Sequence, residues 1–152
     1  MHDPRIDQLA RQLVRYSTKV KRGENVLIDV YDVPEEVAIA LIREVRLVRA
    51  KPFVNVHQSK IAREMGVGAT EEQYGVISKH ALQQMKSMDA YIAIRGSHNI
   101  NELSDVPAKN MAVAMKQMRK VTDHRVKKTK WCVLRWPHPA MAQQAGMSTE
   151  AF

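Results

Sequence analysis

The sequence predicts an α/β domain: a Rossmann-like, three-layer βα arrangement with a mostly parallel sheet of about four strands. Three observations carry that prediction. Short apolar runs alternate with longer stretches of helical period. The clearest run, residues 90–94, is continuous rather than alternating, as expected of a strand covered on both faces. It gives way abruptly to Arg95-Gly96-Ser97 and a polar stretch ending at Asp105-Val106-Pro107, which reads as strand, long loop, helix.

Taken in order, Ile6, Leu9, Ala10, Leu13, Val14 and Ser17 recur at helical spacing, with Arg5, Arg11, Arg15 and Lys19 mostly opposite them. Lys21-Arg22-Gly23 is the expected stop, because glycine takes a left-handed cap without steric cost. Residues 25–31 read as the first strand. Asp32-Val33-Pro34-Glu35 then reads as a helix start, with Asp32 as cap and Glu35 completing a pair like a capping box. Val37, Ala38, Leu41, Ile42, Val45 and Val48 form its buried stripe.

Residues 52–57 predict the second strand, with Pro52 at its first position, where a missing N–H breaks no ladder bond. A short helix over 59–65 is broken by Gly66-Val67-Gly68. Thr70-Glu71-Glu72-Gln73 is a second capping box, opening a helix that buries Tyr74, Ile77, Ala81, Met85 and Met88. After the central strand and loop, Asp105 is the expected cap of a helix from Pro107 that turns Met111, Met115 and Met118 inward as adaptable filling. Residues 131–136 are the last strand, stopped by Pro137 and Pro139. A short helix over 140–145 closes at Gly146. Ser148-Thr149-Glu150 then reads as the start of a further helix, which suggests a truncated chain.

A chain of 152 residues is one ordinary domain or a piece of a larger protein. The single cysteine, Cys132, excludes a disulfide framework and a four-cysteine zinc site, and fits a reducing, cytoplasmic home. Its place in an apolar strand marks it as an inert thiol. The longest apolar run, residues 37–42, is far short of a membrane span, and the first residues lack the apolar core of a signal peptide. The net charge of +8 is concentrated: residues 109–135 hold nine Lys or Arg against Asp123 alone. Such a face attracts phosphate or an acidic neighbouring domain. Nucleic acid is not the expected partner, because the stretch lacks a recognition motif and interleaved aromatics.

The carboxyl ends of parallel strands would share one edge, where ligands bind in such sheets. That edge would carry Asp32, His57, Arg95, the polar loop after it, Trp136 and His138. No zinc-protease helix, phosphate loop, nucleophile elbow or dinucleotide fingerprint is present. His57, His98 and His138, with Asp32, are the one conceivable metal set, but they are scattered and each reads more plainly as a polar loop residue. Ser97 and Ser104 have no partner base at fixed spacing and read as turn formers. No catalytic or metal-ligating residue is therefore assigned. Arg95, Asn99, Asn101 and Glu102 are the polar residues placed to meet a ligand or another domain, or else to bond their own loop. Trp136 is a candidate platform for a partner.

Three stretches resemble the amino-terminal part of the thermophilic metallo-aminopeptidase family, the group of aminopeptidases T and S. They are the opening DPRIDQLARQLVRYSTKVKRGENVLIDVYDVPEE, AYIAIRGSHNINELSDVP at 90–107 and VLRWPHPAMAQQAGMSTEAF at 133–152. The resemblance spans essentially the whole chain. It implies that the complete enzyme removes amino-terminal residues from peptides with divalent metal ions of the zinc, cobalt or manganese class. It also implies a cytoplasmic homodimer. The family's metal ligands lie in a carboxyl-terminal domain, so no position here inherits one. Residues 1–152 are then expected to be the amino-terminal domain with the catalytic domain absent. Alone it is expected to bind no metal and to be inactive, reaching peptide only through the missing domain. Its strand-end loops would wall the substrate chamber or brace that domain. A basic nucleic-acid-binding module and a stand-alone small-ligand α/β domain are the alternatives.

Overall fold

The computed structural model describes residues 3–152. Strands β1 (Asn25–Tyr31), β2 (Lys51–His57), β3 (Ala90–Arg95) and β4 (Lys130–Arg135) form an all-parallel sheet in the order β2-β1-β3-β4. The two central strands are the two with near-continuous apolar sequence, because each is covered on both faces.

Among the described residues there are seven helical segments around the sheet. They are α1 (Pro4–Arg11), which runs on into a π-helical turn (Gln12–Ser17), then α2 (Glu35–Leu47), α3 (Ser59–Val67), α4 (Glu71–Lys86), α5 (Ala108–Lys128) and α6 (Pro139–Gln144). The chain steps from β1 to β2 in one direction and from β2 to β3 in the other. Right-handed crossovers then place the connecting helices on opposite faces. On one face α1, the π-turn and α2 pack Leu13, Val14, Leu41 and Val45 against Val26, Ile28, Ile92 and Ile94. On the other, α4 and α5 bring Met85 and Val121 against Leu27, Tyr91 and Ala93, with Met88 just beyond α4.

Several local expectations are corrected. The first helix does not run to Gly23. It ends at a π-turn in which the Thr18 N–H donates to the Leu13 carbonyl at 3.0 Å, and the extra residue shifts the buried phase by one. Thr18 is therefore buried and Ser17 exposed. Gly23 does take a positive φ of 84°, but in the turn into β1. Strand β2 begins at Lys51, so Pro52 is its second residue. Lys51 donates toward β1, through its bond to the Glu24 carbonyl, so the neighbouring Pro52 faces the open edge, where no donor is needed. Met115 is 69% exposed, and the inward stripe of α5 runs through Met118 and Val121 instead. The Thr70 cap forms as expected, its hydroxyl accepting from the Gln73 N–H at 3.1 Å.

Neither Asp-Val-Pro aspartate caps the helix that follows it. Helices α2 and α5 have Pro34 and Pro107 at their N-caps and no side-chain cap. Asp32 and Asp105 both reach across to α3 instead. The reason is the φ of 46° at Asp32 and the length of the loop before Asp105, which aim each carboxylate at a neighbouring element. At the other end, Ser148 starts a single turn, its hydroxyl accepting from the Ala151 N–H at 3.2 Å.

Candidate functional site at the carboxyl ends of the strands

The direction of winding reverses between β1 and β3, so the loops that leave these two strands part to opposite faces and open a crevice. The loop after β2 closes the third side. Helix α3 is the fixed point of the arrangement. The Asp32 carboxylate accepts the Ser59 N–H at 3.0 Å and also its hydroxyl. Asp105 pairs with Arg63 through both carboxylate oxygens, with Nε at 3.0 Å. The Asn110 amide donates to the Val67 carbonyl at 2.7 Å, so both ends of α3 are tied.

Close backbone approach holds the other wall. The Gly96 N–H donates to the Tyr31 carbonyl at 2.7 Å, and a Cβ on Gly96 would lie 2.4 Å from the Asp32 carbonyl oxygen. Only a glycine lets the strand ends come so near. Between these elements lies a cavity of about 500 Å³. Its apolar side is Val30, Val33, Pro34 and Val56; its polar rim is His57, Lys60, His98, Asn99 and Glu102.

His57 is held from behind by a buried polar cluster. Asp29 is 8% exposed and accepts from the Tyr91 hydroxyl at 2.8 Å. The Nε2 of His57 lies 3.3 Å from the same carboxylate, and its ring stacks on Tyr31 with centroids 4.2 Å apart. The guanidinium of Arg125 lies 4.8 Å from the Tyr91 ring centroid and that of Arg95 lies 5.5 Å from the Tyr31 centroid. Burial, then the Asp29 charge, pushes the Tyr31 hydroxyl up to about 12, and the same causes raise Tyr91. Both phenols thus remain protonated donors to Asp29 far above neutral pH. Sequence reasoning passed over this cluster. Its one signal is the lone acid inside the apolar strand NVLIDVY, which must find donors if buried.

The sequence matches the thermophilic metalloprotease (M29) family over residues 2–152. The chain belongs to that family. Wild-type AmpT from Thermus thermophilus has a similar fold, with a TM-score of 0.72, 18% identity and 97% of this chain covered. This chain spans 40% of the length of that protein. The CurK enoyl reductase (TM-score 0.42, 12% identity, 93% of this chain and 44% of that chain) and a LacI-family repressor from Corynebacterium glutamicum (0.37, 11%, 86% and 59%) are too distant to inform the fold. No curated protein matches the sequence.

A metalloprotease family implies a metal, and the residues here do not fit one. Among the described residues no three His, Cys, Asp or Glu side chains converge as ligands. His57 and His98 do share the cavity, but Asp32 is engaged at α3 and His138 lies outside the cavity lining. Of the polar residues singled out by sequence, Asn99 and Glu102 line the cavity, while Asn99 and Asn101 also line a shallower one against α6. Asn99 also organises its own loop, its side-chain oxygen accepting the Asn101 N–H at 3.0 Å. Arg95 covers Tyr31 and is not in the cavity lining. Trp136 packs half-buried against the α1–α2 core.

Proposed function

We propose that this chain is the amino-terminal domain of a metal-dependent aminopeptidase. Its strand-end loops wall the substrate side of a catalytic cleft whose metal ligands come from a carboxyl-terminal domain. The observation that carries the reading is the family match along residues 2–152, beside a likeness that covers only 40% of AmpT. A cavity bounded by three tied loops, with no three ligand side chains converging among the described residues, suits a wall better than a catalytic centre. In the complete enzyme, zinc, cobalt or manganese would polarise the peptide carbonyl and activate water. That enzyme would be a cytoplasmic homodimer. The test is turnover of aminoacyl chromogenic substrates with cobalt, manganese or zinc. Activity is expected from a protein carrying both domains and none from the 152-residue chain. Clear turnover by this chain alone refutes the proposal.

A further inference from the structure

The cavity at the strand ends has a chemistry of its own, separate from any hydrolytic step. One side is apolar: Val30, Val33 and Pro34 present hydrocarbon. The opposite rim has an acid from the β3–α5 loop, Glu102, with the Lys60 ammonium and His98; Asp32, also in the lining, is already engaged by Ser59. Neither Glu102 nor Lys60 has a side-chain hydrogen bond or ion pair among the described residues, although Glu102 is near enough to Arg63 to add to the field there. Unpaired polar groups beside an apolar wall are the usual make-up of a small-molecule site, and about 500 Å³ falls in the ordinary range of such sites.

Two features narrow the ligand. In nucleotide-binding α/β domains a phosphate takes the free N–H groups at a helix start beside the strand ends. Here the start of α3 is filled by the protein's own anion, the Asp32 carboxylate, which accepts the Ser59 N–H and hydroxyl; the start of α2 has no side-chain cap, but its turn, Asp32-Val33-Pro34, puts a carboxylate there and lacks the glycine that lets backbone approach a phosphate. Second, the rim has opposite signs on different elements, the carboxylate on the β3–α5 loop and the ammonium on α3. A ligand that satisfies both must itself carry an ammonium and a carboxylate. A ligand that uses the wall must also carry an apolar side chain. The unpaired Lys60 ammonium favours a full carboxylate over an amide.

We infer that this cavity binds a free apolar α-amino acid as its zwitterion. Glu102 takes the ammonium, Lys60 takes the carboxylate, and Val30, Val33 and Pro34 take the side chain. Such a molecule is what an aminopeptidase releases, so the cavity would hold product near the cleft. That last step rests on the function proposed above; the binding rests on the cavity alone.

The experiment is isothermal titration of leucine into the 152-residue chain, with leucinamide, 4-methylpentanoate and glycine as comparison ligands. Saturable one-to-one binding of leucine is expected. Each comparison ligand should bind roughly ten- to a hundredfold more weakly, the usual value of one charge-assisted bond or one buried side chain. Glu102→Gln should erase the preference for leucine over 4-methylpentanoate, and Lys60→Met the preference for leucine over leucinamide. Both positions are solvent-accessible, and a thermal scan checks that each variant is folded. Absence of saturable leucine binding overturns the inference, as does equal binding of leucinamide or of 4-methylpentanoate. Binding without turnover by the longer protein would overturn the proposed function and leave this inference standing.

Discussion

Replacing Gly96 with alanine tests whether the close approach of the strand ends holds the site together. The new Cβ would meet the Asp32 carbonyl oxygen at 2.4 Å and the Tyr31 carbonyl oxygen at 3.1 Å, whereas ordinary contact begins at 3.4 Å. The obstructing atoms are backbone, so no rotamer change relieves the overlap. The chain must move by about an ångström, which stretches the 2.7 Å bond from Gly96 N–H to Tyr31. Overpacking costs about 1–3 kcal/mol and the lost hydrogen bond about 1 kcal/mol, giving roughly 2–4 kcal/mol in all. For a domain of this size that lowers Tm by roughly 5–15 °C. Gly75→Ala is the matched control: it lies inside α4, its added Cβ meets nothing within 4 Å, and its φ is not positive. That variant should gain roughly 0.5–1 kcal/mol from helix propensity. Urea unfolding of the two variants beside the parent decides the matter. A Gly96→Ala protein within about 0.5 kcal/mol of the parent, the usual effect of a neutral surface change, would refute the reasoning.

Three further outcomes follow from the same geometry. Tyr91→Phe removes a 2.8 Å bond to the buried Asp29 carboxylate and should cost about 1.5–3 kcal/mol in urea unfolding; a loss below about 0.5 kcal/mol would mean the hydroxyl is not holding the charge. Asp32→Ala frees the start of α3 at a cost of about 0.5–2 kcal/mol, seen as faster amide exchange at Ser59, while Asp32→Asn retains an acceptor and should lose less; equal exchange in all three proteins removes the capping role. Because the folded Tyr31 hydroxyl titrates near 12 against 10.0 when exposed, its contribution is complete below pH 10 and is lost as pH rises toward 12; the unfolded chain binds fewer protons there, so stability falls. Tyr31→Phe should flatten that alkaline decline, and an unchanged slope would show that Tyr31 does not cause it.

The strands and the layer plan were legible because they follow from local pattern. A continuous apolar run such as AYIAI fits a central parallel strand, and the stripe of Val37, Ala38, Leu41 and Val45 fits one face of a helix. Thr70 was legible as a cap for the same reason, since its partner is three residues away. The site was less legible. Asn99 and Glu102 were picked out as polar groups on the correct edge, yet Lys60 was not singled out and Asp29 was read as part of a strand. Arg95 and Trp136 left the same edge but went to an aromatic ring and to the core.

What the sequence alone determined is therefore what its short-range periodicity encodes: parallel strands between amphipathic helices, and a polar loop after the central one. The tertiary structure alone decided where the long-range polar partners lie. Asp32 and Asp105 have the local spacing of helix caps, but a left-handed φ at one and a long loop before the other carry them to α3. Asp29 meets a tyrosine 62 residues away. Hydrogen bonds of that kind depend on strand order and crossover hand, which fix which loops converge, and no window of neighbouring residues contains them.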